Sequence, residues 1–195
     1  MYGLTLQTAA TIEPVSLDEA KRQCGIAEAI GYHDDTLTRH IKTAREMVER
    51  LTGRQLINAT WDLVLDSFPS GAKPIRIPKN PLSSVTSITY LDSDGVSQTW
   101  TSSNYRVTTS KEPATVSLAY QVSYPATRAL EGAVTVRFVA GYGTTMLSVP
   151  GGLRDLVLMF VEQLYTGTEI PESTVRAMVA NYSVGEEFTC YAEAT

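Results

Sequence analysis

The chain has 195 residues, a net charge of −5 at pH 7, and a composition that is 43% hydrophobic and 19% charged. That length suffices for one well-buried domain, or a domain with a large insertion, and the composition is that of an ordinary globular protein. It excludes a membrane-spanning helix: the longest apolar run, LVLMFV at 156–161, lies between Asp155 and Glu162 and falls far short of the roughly 20 residues a span needs.

The start, MYGLTLQTAATIEP, lacks a basic segment and a long apolar core, so no secretion signal is expected and residues 1–13 read as irregular. PVSLDEAKRQC then opens a helix. Ser16 is the N-cap candidate and Glu19, three residues on, completes a capping box. GIAEAIGYHDD at 25–35 is a break. A second helix is expected from Asp34 or Asp35, where acids suit the positive end of the helix dipole. Leu37, Ile41, Ala44, Val48 and Leu51 step by four and three and make one apolar stripe, and Gly53 stops it.

The period then changes to two. Trp61, Leu63 and Leu65 alternate with Asp62, Val64 and Asp66, which places Trp61 in a core. PIRIP is a short strand between prolines, suited to a sheet edge. SVTSITYL at 84–91 is rich in β-branched residues, and DSDGV follows as a hairpin turn with Asp94-Gly95 at its tip. SQTW, NYRVTT and ATVSLAY are further short strands. In GAVTVRFVAGY, Val134, Val136, Phe138 and Ala140 share one face. Residues 57–143 thus read as an all-β unit with the turn spacing of a small sandwich or barrel. Helix returns near Pro150, and residues 153–165 are apolar almost all round, which predicts a central, buried helix. STVRAMVANY is a last short helix. The fold class is α+β: a helical core, with helices before about 56 and after about 149, split by an all-β insertion of short antiparallel strands.

FVAGYG spans residues 138–143. A strand ending in glycines ahead of a helix is how phosphate loops are built. Gly141 and Gly143 fit a dinucleotide fingerprint, but its third glycine is replaced by Met146 and no β-α-β alternation supports it. His33 and His40 are seven apart, too loose for a metal cluster, and Asp34 and Asp35 are explained by the helix N-terminus. Cys24 and Cys190 fit no metal spacing and read as idle thiols in a reducing compartment. There is no G-x-S-x-G, and the paired carboxylates Glu186-Glu187 sit in a polar tail, a poor place for pKa tuning. Arg39, Lys42, Arg45, Arg50 and Arg54 are interleaved with Glu46 and Glu49, which reads as a solvated face with i,i+3 and i,i+4 pairs rather than a DNA-reading helix. No catalytic, metal or cofactor site is expected.

Charge is unevenly placed. From Asp155 onward there are seven acids and one base, Arg176, against totals of 21 acids and 16 bases, so the body is near neutral and the C-terminal quarter is acidic. Such an end does not grip DNA; it suits a basic partner, or a surface that DNA slides past. Phe188 and Tyr191 are aromatic residues in this polar tail, and either mark a docking segment or fold back on their own core.

The order of segments resembles a known family. EPVSLDEAKRQC, then DDTLTRHIKTAREMVERLTGRQLINATWDL, then IRIPKNPLSSVTSITYLDSDG, YPATR at 124–128, GAVTVRFVAGYG and VPGGLRDLVLMFVEQLY are together similar to the head–tail connectors, or adaptors, of long-tailed phages, prophages and gene transfer agents, in the branch with a β insertion. The resemblance implies a structural, non-enzymatic virion protein. It implies a ring, of twelve copies in the particle, between the portal protein and a tail-side stopper or tail terminator. DNA would pass through the channel without sequence-specific binding, and no membrane is involved. Its place is the particle neck, and the host cytoplasm before assembly. The implied division is a helical connector core at 1–56 and 144–182, a β insertion at 57–143, and a portal-docking tail at 183–195 that carries Phe188 and Tyr191. Two other readings stand beside it. One is a β-domain module binding protein or carbohydrate through exposed Trp61 and Trp100. The other is a small hydrolase built on His33, Asp34 and Asp35.

Overall fold

A computed structural model of the chain describes residues 2–183. It contains four helices and two antiparallel sheets, so the fold is α+β. The chain divides into two compact units. One comprises the residues up to Ala9 with Asn58–Gly141; the other runs from Ala10 to Ile57 and from Tyr142 onward.

The helical unit begins with α1, Leu17–Gln23. Its capping box forms as the sequence requires: the Ser16 hydroxyl accepts from the Glu19 amide at 3.2 Å, and the Glu19 carboxylate accepts from the Ser16 amide at 2.8 Å. α2, Asp34–Thr52, ends at Gly53 with φ +67°, a left-handed cap that glycine adopts without strain. Its buried stripe is Leu37, Ile41, Ala44, Val48 and Thr52. Leu51, expected in that stripe, is exposed. The stripe advances by four residues at its end, and Thr52 tolerates burial because its hydroxyl donates to the Val48 carbonyl at 2.7 Å.

α3, Gly151–Thr166, buries Leu153, Leu156, Val157, Phe160 and Val161 and touches α1, α2 and α4, Glu172–Ala180. It is central, but not buried all round: Asp155 and Leu164 are exposed, so the core sees one stripe. α4 has no fully buried residue and lays Val175, Met178 and Val179 against the same core. Arg154 ties α3 to α1. Its Nε donates to the Pro14 carbonyl at 3.0 Å and its Nη2 reaches the Glu19 carboxylate.

The β unit holds a five-stranded sheet of order β1-β2-β8-β4-β5 and a three-stranded sheet of order β3-β7-β6. β1 is Tyr2–Thr8, a segment expected to be irregular. It pairs antiparallel with β2, Ala59–Leu65, setting Leu4 opposite Leu63 and Leu6 opposite Trp61. YGLTLQT does alternate, but an edge strand this short acquires structure only from a partner far along the chain. β3 is Ile75–Arg76, at the edge of the smaller sheet. β4, Leu82–Leu91, and β5, Ser97–Thr99, form the hairpin whose turn holds Gly95 at φ +83°. β6 is Tyr105–Thr108, β7 is Thr115–Leu118 and β8 is Val134–Ala140.

β8 lies between β2 and β4 and has the clearest alternation. Val134, Val136, Phe138 and Ala140 are fully buried, and they share one cluster with Ile75 and Val116 of the smaller sheet. Phe68, Trp100, Tyr105 and Tyr124 extend it; the Phe68 and Tyr124 rings stack with centroids 4.9 Å apart. On the opposite register of β2, Asp62 is buried and faces Arg137 of β8. The guanidinium grips it in two bonds, of 2.8 and 2.7 Å. A buried carboxylate is tolerable only with such a partner, and the pairing penalises any slip between the strands.

Two outcomes follow. Phe138→Ala leaves a large hole in the central strand and is expected to cost about 3–5 kcal/mol. Both tryptophans belong to the β unit, so urea unfolding followed by fluorescence reads that loss directly. In the helical unit, burial alone would raise the Glu19 carboxyl; the Ser16 amide and the Arg154 guanidinium outweigh it and hold it below its ordinary value. A lowered folded pKa contributes stability above the unfolded pKa and loses it as pH falls towards the folded one. Glu19→Gln is expected to lower stability at neutral pH and to flatten the decline below about pH 5, measured by thermal melts in a pH series.

Candidate functional site

The glycine corner is not a phosphate loop. β8 runs antiparallel to both neighbours, and α3 begins only at Gly151, after a 3-10 turn at Met146–Ser148. Gly141 is glycine for packing: at φ +138°, an added Cβ would lie 2.5 Å from the Asn58 amide nitrogen. Its own amide donates to the Pro81 carbonyl at 2.9 Å.

The other residues singled out by sequence scatter. His33 sits at the N-cap of α2, edge-on to Tyr32 and to Tyr165, with ring centroids 5.0 and 5.5 Å away. His40 lies within α2, its pKa lowered by burial and by Arg39. Asp34 receives Lys21 Nζ at 2.7 Å, a buried lysine that also donates to the Glu28 carbonyl. Among the described residues no cluster of His, Cys, Asp and Glu has the geometry to hold a metal ion. Cys24 is partly buried, and burial followed by the nearby Glu162 carboxylate raises its pKa, away from a reactive thiolate. Trp61, expected in a core, packs against it without being fully covered, and Trp100, which the binding-module reading needs on the surface, lies within it. Trp100 is 5% exposed in the core, whereas Trp61 is only half-buried, with Lys79 Nζ 4.8 Å over its ring.

Phe188, Tyr191, Cys190 and the Glu186-Glu187 pair lie outside the described residues. The structure shows instead how the chain is held just before them. After α4, the Tyr182 amide donates to the Val179 carbonyl at 2.8 Å. The Tyr182 carbonyl accepts from Nε of Arg54, which is buried just beyond the end of α2 with its guanidinium 6.0 Å over the Tyr142 ring. The Tyr182 hydroxyl lies over the first turn of α3, where a Cβ on Gly152 would be 2.8 Å from it. Three segments far apart in sequence thus converge on Tyr182 and fix where the last residues depart. Arg54 reads in the sequence as one of several helix cations; nothing local marks it, because its partner is 128 residues away.

A groove of about 190 Å³ opens between α3 and the start of α4. Met159, Ile170 and Pro171 give it apolar walls, and Glu162 and Glu169 give it an acidic rim. It contains no nucleophile–base pair. The arrangement suits a long side chain with an apolar stem and a cationic head.

A family model described as phage gp6-like head–tail connector protein matches residues 14–127. Solved structures similar to this chain come from gene transfer agent particles. A chain in the virion of a native particle is 22% identical with a TM-score of 0.78. A chain in the neck of an empty particle, computed with C6 symmetry, is 19% identical with a TM-score of 0.79. A chain in the neck of a native particle, computed with C12 symmetry, is 20% identical with a TM-score of 0.73. Each comparison covers 94% of this chain and 96% of the other. No curated protein matches the chain.

Arg54→Ala removes a charged donor to the Tyr182 carbonyl and is expected to make local opening easier by about 1.5–3 kcal/mol. Gly152→Ala improves helix propensity but displaces the Tyr182 ring. Both are expected to speed amide exchange across 172–183 while leaving α2 protected; uniform protection in both variants would remove the anchor role.

Proposed function

The chain belongs to the phage gp6-like head–tail connector family, and from that premise we propose that it is a structural protein of a particle neck, without catalytic activity. It forms a ring, of twelve copies in the assembled particle, between the portal protein and the next tail-side component, a stopper or tail terminator. Genome DNA passes through the centre without sequence-specific contact. The protein resides in the virion of a phage or phage-like particle, and in the host cytoplasm before assembly. The family match carries this reading. Fold similarity over almost the whole length to chains of sixfold and twelvefold symmetric necks supports it.

The C-terminal tail, residues 183–195, is proposed to dock on the portal through Phe188 and Tyr191, with Tyr182 as its fixed root. The β-module alternative loses one of its two surface aromatics, since Trp100 lies in the core.

The test mixes the full chain with the portal ring of the same particle and counts bound copies by native mass spectrometry. Binding at the symmetry of the portal, lost on truncation after Tyr182, is the expected result. Binding that survives truncation keeps the connector role and removes the tail as its docking site. A wild-type chain that does not bind an intact portal overturns the role.

A further inference from the structure

The helical unit carries opposite charge on opposite outer faces. α2 turns its apolar stripe inward, so Arg39, Lys42 and Arg50 come out on the far side; Arg39 and Arg50 are three turns apart on one line. All three are exposed. Of the i,i+4 pairs that the sequence suggests on α2, Arg45–Glu49 forms, at 3.0 Å on the half-buried flank; among the described residues none forms between Glu46 and Lys42 or Arg50. Among the described residues the Arg39 side chain donates to the Thr36 hydroxyl alone, at 3.3 Å. Among the described residues Lys42 and Arg50 have no ion-pair partner. Of the acids on this face, Asp35 stands in the first turn of α2, where the helix dipole balances it, and Glu46 leans to Arg45 at 3.6 Å. The unanswered charge here is positive.

α3 and the loop after it show the reverse. Asp155, Met159 and Glu162 follow each other on the side of α3 away from the core, and Glu169 extends the line into the groove. Asp155 and Glu169 are exposed and, among the described residues, have no cationic partner. Arg154, next to Asp155 in the chain, is committed to Glu19 and the Pro14 carbonyl, and Arg176 is taken by Glu172 at 2.8 Å. Among the described residues the Glu162 carboxylate accepts from the neutral Gln23 amide, at 2.6 Å, and has no cationic partner.

Resting on the ring reading above, we infer that neighbouring copies join through these two faces: the cationic side of α2 from one copy seats on the acidic groove beside α3 of the next. A lysine or arginine stem would lie against Met159, Ile170 and Pro171 while its charge meets Glu162 and Glu169. Two different patches on opposite sides of one unit make a head-to-tail contact, which is the kind that closes into rings. Complementary charge also sets the register between copies and speeds their encounter.

The experiment uses full chains on the portal ring, with bound copies counted as before. Lys42→Glu with Arg50→Glu makes both faces acidic; Asp155→Lys with Glu169→Lys makes both basic. All four positions are exposed, and unchanged circular dichroism melts confirm folding. Each double variant alone is expected to lower occupancy about tenfold or more. An equimolar mixture is expected to restore it, because the two variants can alternate around an even ring. Wild-type occupancy by either variant alone, or no recovery in the mixture, overturns this interface and leaves the connector role standing. If the wild-type chain itself fails on the portal, the connector role is what falls. The contact is then decided by carbodiimide cross-linking of mixed isotope-labelled and unlabelled chains: Lys42–Glu169 links between copies, lost at high salt, sustain it, and their absence overturns it.

Discussion

The packing of α3 on α2 governs the rest of the molecule. Leu153, Leu156, Val157 and Phe160 share one buried cluster with Leu37, Ile41, Ala44 and Val48, and the two stripes are separated in sequence by Asn58–Gly141 of the β unit. Amphipathic helices draw most of their stability from tertiary packing, so the helical unit cannot close until the chain has passed through the intervening strands. The returning chain must therefore meet the outgoing one closely. In the β unit Ala59 pairs with Ala140 and Gly141 lies against Asn58; in the helical unit the Tyr142 amide donates to the Leu56 carbonyl at 3.1 Å. Glycine at 141 is required by that crossing, which explains a motif that otherwise looks like a ligand loop.

Buried charge in this protein is committed to holding elements in place. Lys21 fixes the α1–α2 break through Asp34 and the Glu28 carbonyl. Arg154 joins α1 to α3, Arg137 locks β8 to β2 through Asp62, and Arg54 holds Tyr182. Such pairs add little net stability, because desolvation offsets their attraction, but removing one partner is costly and alternative registers are penalised. That is the economy of an assembly part, whose surfaces must be presented in fixed geometry. The charges left over on α2 and α3 are exposed and of opposite sign.

Most of the element pattern was legible in the residues. The capping box at Ser16 and Glu19, the stop at Gly53, the period-two run from Val134 to Ala140 and the turn at Gly95 are local signals, each readable within a few positions. The departures from expectation have separate causes. β1 needed β2, roughly sixty residues on, to become a strand. Thr52 displaced Leu51 because a hydroxyl can return to its own helix. Trp61 is less covered than expected because alternation tells that a strand has two faces, not how completely each is covered.

Of the proposed interaction surfaces, the aromatic tail was visible as composition, and the helix cations were visible as a list of residues. The anchor at Tyr182 and the groove beside α3 were not. Arg54, Gly152 and Tyr182 become neighbours only when three separate segments pack, and a groove is a property of the space between elements. The sequence by itself determined the helices, most strands, the α+β order and, through the succession of its motifs, the family. Tertiary structure alone decided which cations are spent inside the fold and which remain for a partner, because burial and pairing depend on contacts between residues that no local pattern relates.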